Sequence, residues 1–221
     1  MRVPGLPRFL LCLMLLGSVL LAAAARAEDW PGPKVREVFS ESREYFVRVI
    51  PGRSIGDSFG FRGMQRGPYA TAEFYRQQAD RSYRLVAEAT LKNPMAPVEF
   101  FVSNDGRLAT LDNWHNVGYG DVVALYDPGG RLVRAYALDE LFTPEDLKLL
   151  PRGDASVAWR NGPAYIRGDQ KTLLVTAKST ADFIFDLDSG DYKYCEYLPK
   201  TVSCRPSAPP KPPAAKGRKR K

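Results

Sequence analysis

Histidine and cysteine are scarce in this chain of 221 residues: it has one His, His115, and three Cys, of which Cys12 lies in an apolar N-terminal run. A single imidazole cannot build a multi-histidine metal centre. No Gly-x-Ser-x-Gly elbow and no His-Glu-x-x-His helix occurs, so the commonest serine-hydrolase and zinc-protease signatures are missing. Long apolar runs are missing as well, save Phe9 to Ala25, which is short against the roughly 20 residues that a spanning helix needs. Arg2 and Arg8 precede that run, and Ala25-Arg26-Ala27 closes it with small residues where a signal peptidase reads. Residues 1–27 therefore read as a signal peptide, cleaved to leave Glu28, with an uncleaved anchor as the alternative. The mature chain is expected to be exported, periplasmic or extracellular.

The folded body also lacks a charge surplus. The formal charge of +7 is carried by three arginines in the leader and by Lys211, Lys216, Arg218, Lys219, Arg220 and Lys221 at the end, which leaves residues 28–206 near neutral, at about −2. Residues 207–221 are Pro, Ala, Lys and Arg without apolar periodicity and read as a disordered tail. Behind its proline spacer, the Lys216, Arg218, Lys219, Arg220, Lys221 cluster suits an anionic envelope surface, at about 1 kcal/mol per basic residue near a charged membrane. A specific nucleic-acid partner is not expected. Cys195 and Cys204, the pair left once the leader is gone, are most simply a disulfide in an exported chain; free thiols and a metal site are the alternatives.

What is present in quantity is short alternating apolar runs punctuated by turn residues, which predict a mainly β, antiparallel domain over residues 28–206. Strands are expected at Val35–Phe39, Tyr45–Ile50, Tyr69–Gln77 and Ser82–Leu91, then at Val98–Ser103, Arg107–Asp112, Asp121–Asp127 and Arg131–Leu138. A third set is expected at Ser156–Arg160, Ala164–Arg167, Leu173–Ala177, Phe183–Leu187 and Tyr192–Tyr197. Asn104-Asp105-Gly106 and Pro128-Gly129-Gly130 tolerate the backbone that hairpin turns require. One helix is expected, with Thr143 as its cap, Pro144 at its first position and Glu145 and Asp146 in its first turn. Asp186-Leu187-Asp188-Ser189-Gly190-Asp191 has the look of a calcium loop, but has too few ligands, and reads as a hairpin turn. No cofactor or metal site is expected.

Two loops offer chemistry. Pro51 to Pro68 combines five glycines with Arg53, Arg62 and Arg66, a composition able to cradle an anion or to form a plain surface loop pinned by Phe59, Phe61 and Met64. The segment Asp112-Asn113-Trp114-His115-Asn116-Val117-Gly118-Tyr119-Gly120 sets the lone His between Asp112 and Asp121. There His115 would be a general base oriented by a carboxylate, and Trp114, Asn116 and Tyr119 would hold a flat or sugar-like ligand. The competing expectation is a structural loop whose Asp and Asn cap its own amides.

Val38-Phe39-Ser40-Glu41-Ser42-Arg43 matches Phe101-Val102-Ser103-Asn104-Asp105-Gly106 in position and type, and a third set follows, giving units at 35–91, 98–142 and 156–197. Such units, with Ser-x-Asp-Gly-Arg hairpins and Asp-x-x-Ser-Gly turns, resemble the blades of β-propellers, although three blades fall short of a closed ring. The chain also resembles uncharacterised exported bacterial proteins with a Leu-Asp-Asn-Trp-His-x-x-Gly-Tyr-Gly segment. The resemblance implies architecture without activity. The expected role is a non-enzymatic binding or scaffolding module of the cell envelope with a protein or polysaccharide partner; a hydrolase using the Asp112–Asp121 loop is the alternative.

Overall fold

The computed structural model describes residues 32–55, 66–178 and 180–206. They form three antiparallel meanders. The first sheet runs β1 (Arg36–Phe39), β2 (Tyr45–Ile50), β3 (Thr71–Gln77), β4 (Tyr83–Thr90), each strand bonded to the next. The second runs β5 (Pro97–Val102), β6 (Leu108–Asn113), β7 (Asp121–Tyr126), β8 (Leu132–Ala137), and the third β9 (Ala164–Ile166), β10 (Thr172–Lys178), β11 (Ala181–Asp186), β12 (Tyr192–Leu198), β13 (Thr201–Pro206). Two short helices, α1 (Leu138–Leu141) and α2 (Pro144–Leu149), join the last two sheets.

The second sheet lies between the other two. Phe100, Val102, Leu108, Ala124 and Tyr126 on one of its faces pack with Val47, Val49, Ala72 and Phe74 of the first sheet. Ala109, Leu111, Val123, Leu125 and Tyr136 on the opposite face pack with Leu173, Val175, Phe183 and Phe185 of the third. Burial on both faces explains why Val122 to Tyr126 of β7 is a continuous apolar run, since neither side of it meets water, whereas β6 buries Thr110, Asp112 and Asn113 among its apolar residues.

The first hairpin turn of each sheet has one geometry. The N–H of Arg43 donates to Ser40 O at 3.0 Å, that of Gly106 to Ser103 O at 3.0 Å and that of Gln170 to Arg167 O at 2.8 Å. The donor residue is left-handed in all three, with φ of 58°, 88° and 56°. The turns are also tied to one another: Ser42 N–H donates to Asn104 Oδ1 at 2.7 Å, Asn104 N–H to Gln170 Oε1 at 3.1 Å and Gln170 Nε2 to Glu41 Oε2 at 2.7 Å. Corresponding turns of all three sheets thus meet at one end.

The β3–β4 turn repeats this geometry with Arg81 at φ 68°, its side chain exposed. A left-handed non-glycine residue costs about 1–2 kcal/mol, partly offset in a glycine variant by the looser unfolded chain. Arg81→Gly is expected to stabilise by about 0.5 kcal/mol, a rise of one or two degrees in Tm by calorimetry; a fall would contradict this account of the turn.

Several local expectations are corrected. Ser156–Arg160 is not a strand. Val157 N–H donates to Val117 O at 2.9 Å and Ala158 N–H to Pro151 O at 2.8 Å, so its backbone bonds go to loops, and its regular pairing is limited to the single bridge Arg152–Val157. The alternation of Val157 and Trp159 reflects two side chains plugged into the core, each 1% exposed. A second helix, α1, begins at Leu138, the last residue of the expected strand Arg131–Leu138. β13 escaped the sequence reading because Thr-Val-Ser-Cys-Arg-Pro is exposed throughout and has no apolar period. The helix expected at Thr143 is present as α2, with Thr143 Oγ1 accepting from Asp146 N–H at 3.2 Å. Cys195 and Cys204 face each other across β12 and β13 and form the disulfide. Asp186 Oδ1 accepts from the N–H groups of Asp188 and Ser189 at 2.9 and 2.8 Å, which makes the acidic segment a hairpin turn.

Candidate functional site

The β6–β7 loop is wound around buried polar groups. Asp112, fully buried, accepts at Oδ1 from Gly118 N–H at 3.0 Å and from Trp159 Nε1 at 2.7 Å, and at Oδ2 from Arg160 Nε at 3.1 Å. Arg160 also pairs with Glu99. Burial pushes the Asp112 carboxyl above the usual carboxylate range, against the pull of the Trp159, Arg160 and Gly118 donors. Asn113 Nδ2 donates to Tyr119 O at 2.7 Å and Asp121 O at 3.1 Å, while Asn93 Nδ2 donates to Asp112 O and Asn113 Oδ1. Gly118 is left-handed, and a Cβ there would stand 2.6 Å from Val157 O.

The remaining candidates of this loop sit around that network. Trp114, His115 and Tyr119 are half-buried, with the rings of Trp114 and His115 edge-on at 6.4 Å. Asp121 is half-buried, 3.7 Å from Lys92 Nζ. Asn116 is 2% exposed, and neither atom of its amide has a hydrogen-bond partner. Both Asp112 and His115 have left-handed backbone, with φ of 58° and 64°. The structure thus brings Asp112 to Trp159 and Arg160, two residues the sequence reading did not connect with the loop.

Of the arginines in the glycine-rich stretch, Arg53 and Arg66 are exposed; Arg62, with Phe59, Phe61 and Met64, lies outside the described residues. The neck of the stretch is closed by Gly52 N–H to Met95 O at 2.7 Å, Arg53 N–H to Pro68 O at 2.8 Å and Ala70 N–H to Asn93 O at 3.1 Å. Gly52 has no room for a side chain, since a Cβ would lie 2.3 Å from Pro94 O and 2.5 Å from Ala70 N. Trp114 N–H donates to Ala96 O at 2.9 Å, so residues 93–96 anchor this neck and the His115 loop together.

A cavity of about 240 Å³ lies elsewhere, between β8, α1 and the β12–β13 hairpin, and none of the candidates above lines it. Tyr136 and Tyr192 meet edge-on at 5.2 Å, and their hydroxyls donate to Gly190 O and Glu140 O, each at 2.7 Å. Burial raises Tyr136 to about 12. Glu140 closes the first turn of α1, its Oε2 accepting from Ala137 N–H at 3.0 Å. Arg134 lies over the ring of Tyr136 at 5.2 Å and Arg205 over Tyr194 at 4.6 Å. The sequence signal for half of this site was the i, i+2 spacing of Arg134 and Tyr136, which puts both on one face of a strand. Among the described residues no group of three His, Cys, Asp or Glu is placed to hold a metal ion. The chain matches no protein-family model and no curated protein.

Proposed function

We propose that this chain is an exported, non-catalytic binding or scaffolding module of the cell envelope or the extracellular space, built from three propeller-like blades. The observation that carries the binding role is the cavity, lined by Tyr136, Tyr192 and Phe142, by Arg134 and Arg205 and by the acidic pair Asp139 and Glu140, with the tyrosine hydroxyls and the Glu140 carboxylate bonded to backbone partners. A concave site of mixed aromatic and charged lining suits holding a ligand. The shared turn geometry of the three meanders supports the blade reading, and the Cys195–Cys204 bridge suits an oxidising compartment. The basic tail adds attraction to an anionic surface that falls as salt rises.

The left-handed His115 and Asp112 and the unpartnered Asn116 amide favour a second reading, a hydrolase with His115 as general base, because strained backbone and unsatisfied polar groups collect at functional sites. A panel of chromogenic esters, phosphomonoesters and glycosides separates the two. Wild type and His115→Ala are expected to give the same background rate, with near-UV circular dichroism unchanged. A turnover present in the wild type and lost in a folded His115→Ala protein would replace the module reading with the hydrolase.

A further inference from the structure

We propose that two copies of this chain close head to tail into a six-bladed ring, the outer face of the first sheet in each copy packing on the outer face of the third sheet in the other. This ring rests on the reading of the three sheets as blades and names a partner for the module.

The sheets correspond residue by residue through their second and third strands. In the first hairpin of each, Ser40 N–H donates to Tyr45 O at 2.9 Å, Ser103 N–H to Arg107 O at 3.0 Å and Arg167 N–H to Thr172 O at 2.8 Å, so Tyr45, Arg107 and Thr172 hold the same place. One step on, Phe46 lies opposite Tyr75, Leu108 opposite Tyr126 and Leu173 opposite Phe185. Leu108 and Tyr126 are buried against the first sheet, and Leu173 and Phe185 against the second. Phe46 and Tyr75 point the same way, but among the described residues no sheet precedes theirs. A further step on, Val47 opposite Phe74 and Ala109 opposite Leu125 are buried against the following sheet, whereas the third such pair, Leu174 opposite Ile184, has no sheet after it. Each outer face is therefore one half of an interface that the chain builds twice within itself, and the missing half is the other outer face. The two lie on opposite sides of the second sheet, so one chain cannot join them and a second copy supplies both halves.

Both faces leave apolar groups open to water. Phe39 and Leu85 flank Phe46 and Tyr75 with 38% and 40% exposure, and Tyr165 and Tyr197 stand on the third sheet's outer face with 48% and 41%. Charges among them are matched within their own face: Arg48 pairs with Glu37 and Glu73, and the Tyr197 hydroxyl donates to Asp182. Lys193, opposite Ile184, holds the place of Arg134 opposite Leu125, where the third sheet already packs over a cation. A face of four strands, each of about six residues, measures about 20 by 20 Å at about 4.8 Å between strands and 3.3 Å per residue. Closing the ring covers four such faces, about 1,600 Å² in all, the size of a standard stable interface. Six blades fall within the four to eight that close a ring, and a two-fold axis repeats one contact on both sides and leaves no open end.

The experiment is sedimentation equilibrium of the mature chain. The wild type is expected at the mass of two chains, with a Kd on the order of 1 μM or tighter. Leu85→Lys and Tyr165→Glu, each keeping the wild-type near-UV circular dichroism, should weaken association by about a hundredfold or more and leave the mass of one chain, because each forces a charge under a covering sheet. An equimolar mixture of the two variants should return toward the mass of two chains, since their hybrid keeps one unaltered contact. Phe39→Lys and Tyr197→Lys carry the test on the same faces if either variant fails to fold. A wild type that stays at the mass of one chain up to about 100 μM would overturn the ring and leave the module reading standing. So would a mass that climbs without limit, the mark of an open fibre, or dissociation by one variant alone, the mark of a face that pairs with itself. A mixture that stays monomeric would equally overturn head-to-tail closure. His115-dependent turnover would sink the module reading without changing the mass of the dimer.

Discussion

Asp112→Ala is expected to cost about 3–5 kcal/mol of stability, read as a fall in the urea midpoint with an unchanged slope. The carboxylate is fully buried and takes hydrogen bonds from Gly118, Trp159 and Arg160. Truncation leaves an indole N–H without an acceptor and a guanidinium, its side chain 15% exposed, with only Glu99 as counter-charge. A loss below about 1 kcal/mol would mean that the pair does not hold the loop to the segment before β9. Asp112→Ala/Arg160→Met should recover part of the loss, because removing both charges removes the desolvation penalty that a lone arginine carries. The same pairing bears on catalysis: a carboxylate held by three donors acts as a pin, and anything His115 does must be compatible with that.

Phe183→Ala is expected to be as damaging, at about 3–5 kcal/mol. Phe183 is fully buried, with the rings of Tyr194, Phe142, Tyr192, Phe185 and Trp159 at centroid distances of 4.8, 5.2, 5.6, 6.0 and 6.3 Å. Five aromatic neighbours cannot all move into the space of one lost ring, so the cavity stays largely open and its full cost is felt. Chemical denaturation against Val202→Ala, a control 57% exposed and expected within about 0.5 kcal/mol of wild type, measures the effect. If Phe183→Ala behaved like Val202→Ala, the third sheet's core would be able to collapse around the gap.

The strands were legible where the chain alternates and where turn chemistry brackets a run, as at Tyr45–Ile50 and around Gly106, and the cysteine pair was legible from spacing and compartment. The run Val122 to Tyr126 has no polar side to offer water, as suits a strand covered on both faces. Ser156–Arg160 misled because Val157 and Trp159 bury at strand spacing while their backbone bonds go to loops. The importance of Asp112 could be read from its place beside the lone His, but its partners could not: Trp159 and Arg160 lie 47 and 48 residues away and meet it only after the third sheet has docked. The cavity was invisible for the same reason. Arg134 and Arg205 are each one arginine among many, and only the packing of β8 against the last hairpin makes them a pair.

A wall shared by two rooms cannot be built before both. Each meander is made of sequence neighbours and can pair as the chain is synthesised, but the middle one has an apolar surface on either side. When synthesis has reached Ala137, its first side can already be covered by the preceding strands, while Leu111, Val123, Leu125 and Tyr136 still await residues 173–185. The nascent chain therefore passes through an interval in which its most apolar layer is half dressed, an interval set by the whole stretch from Leu138 to the strands β10 and β11. A cut after Ala137 is consequently no domain boundary, since it leaves a sticky fragment on one side and an incomplete sheet stack on the other.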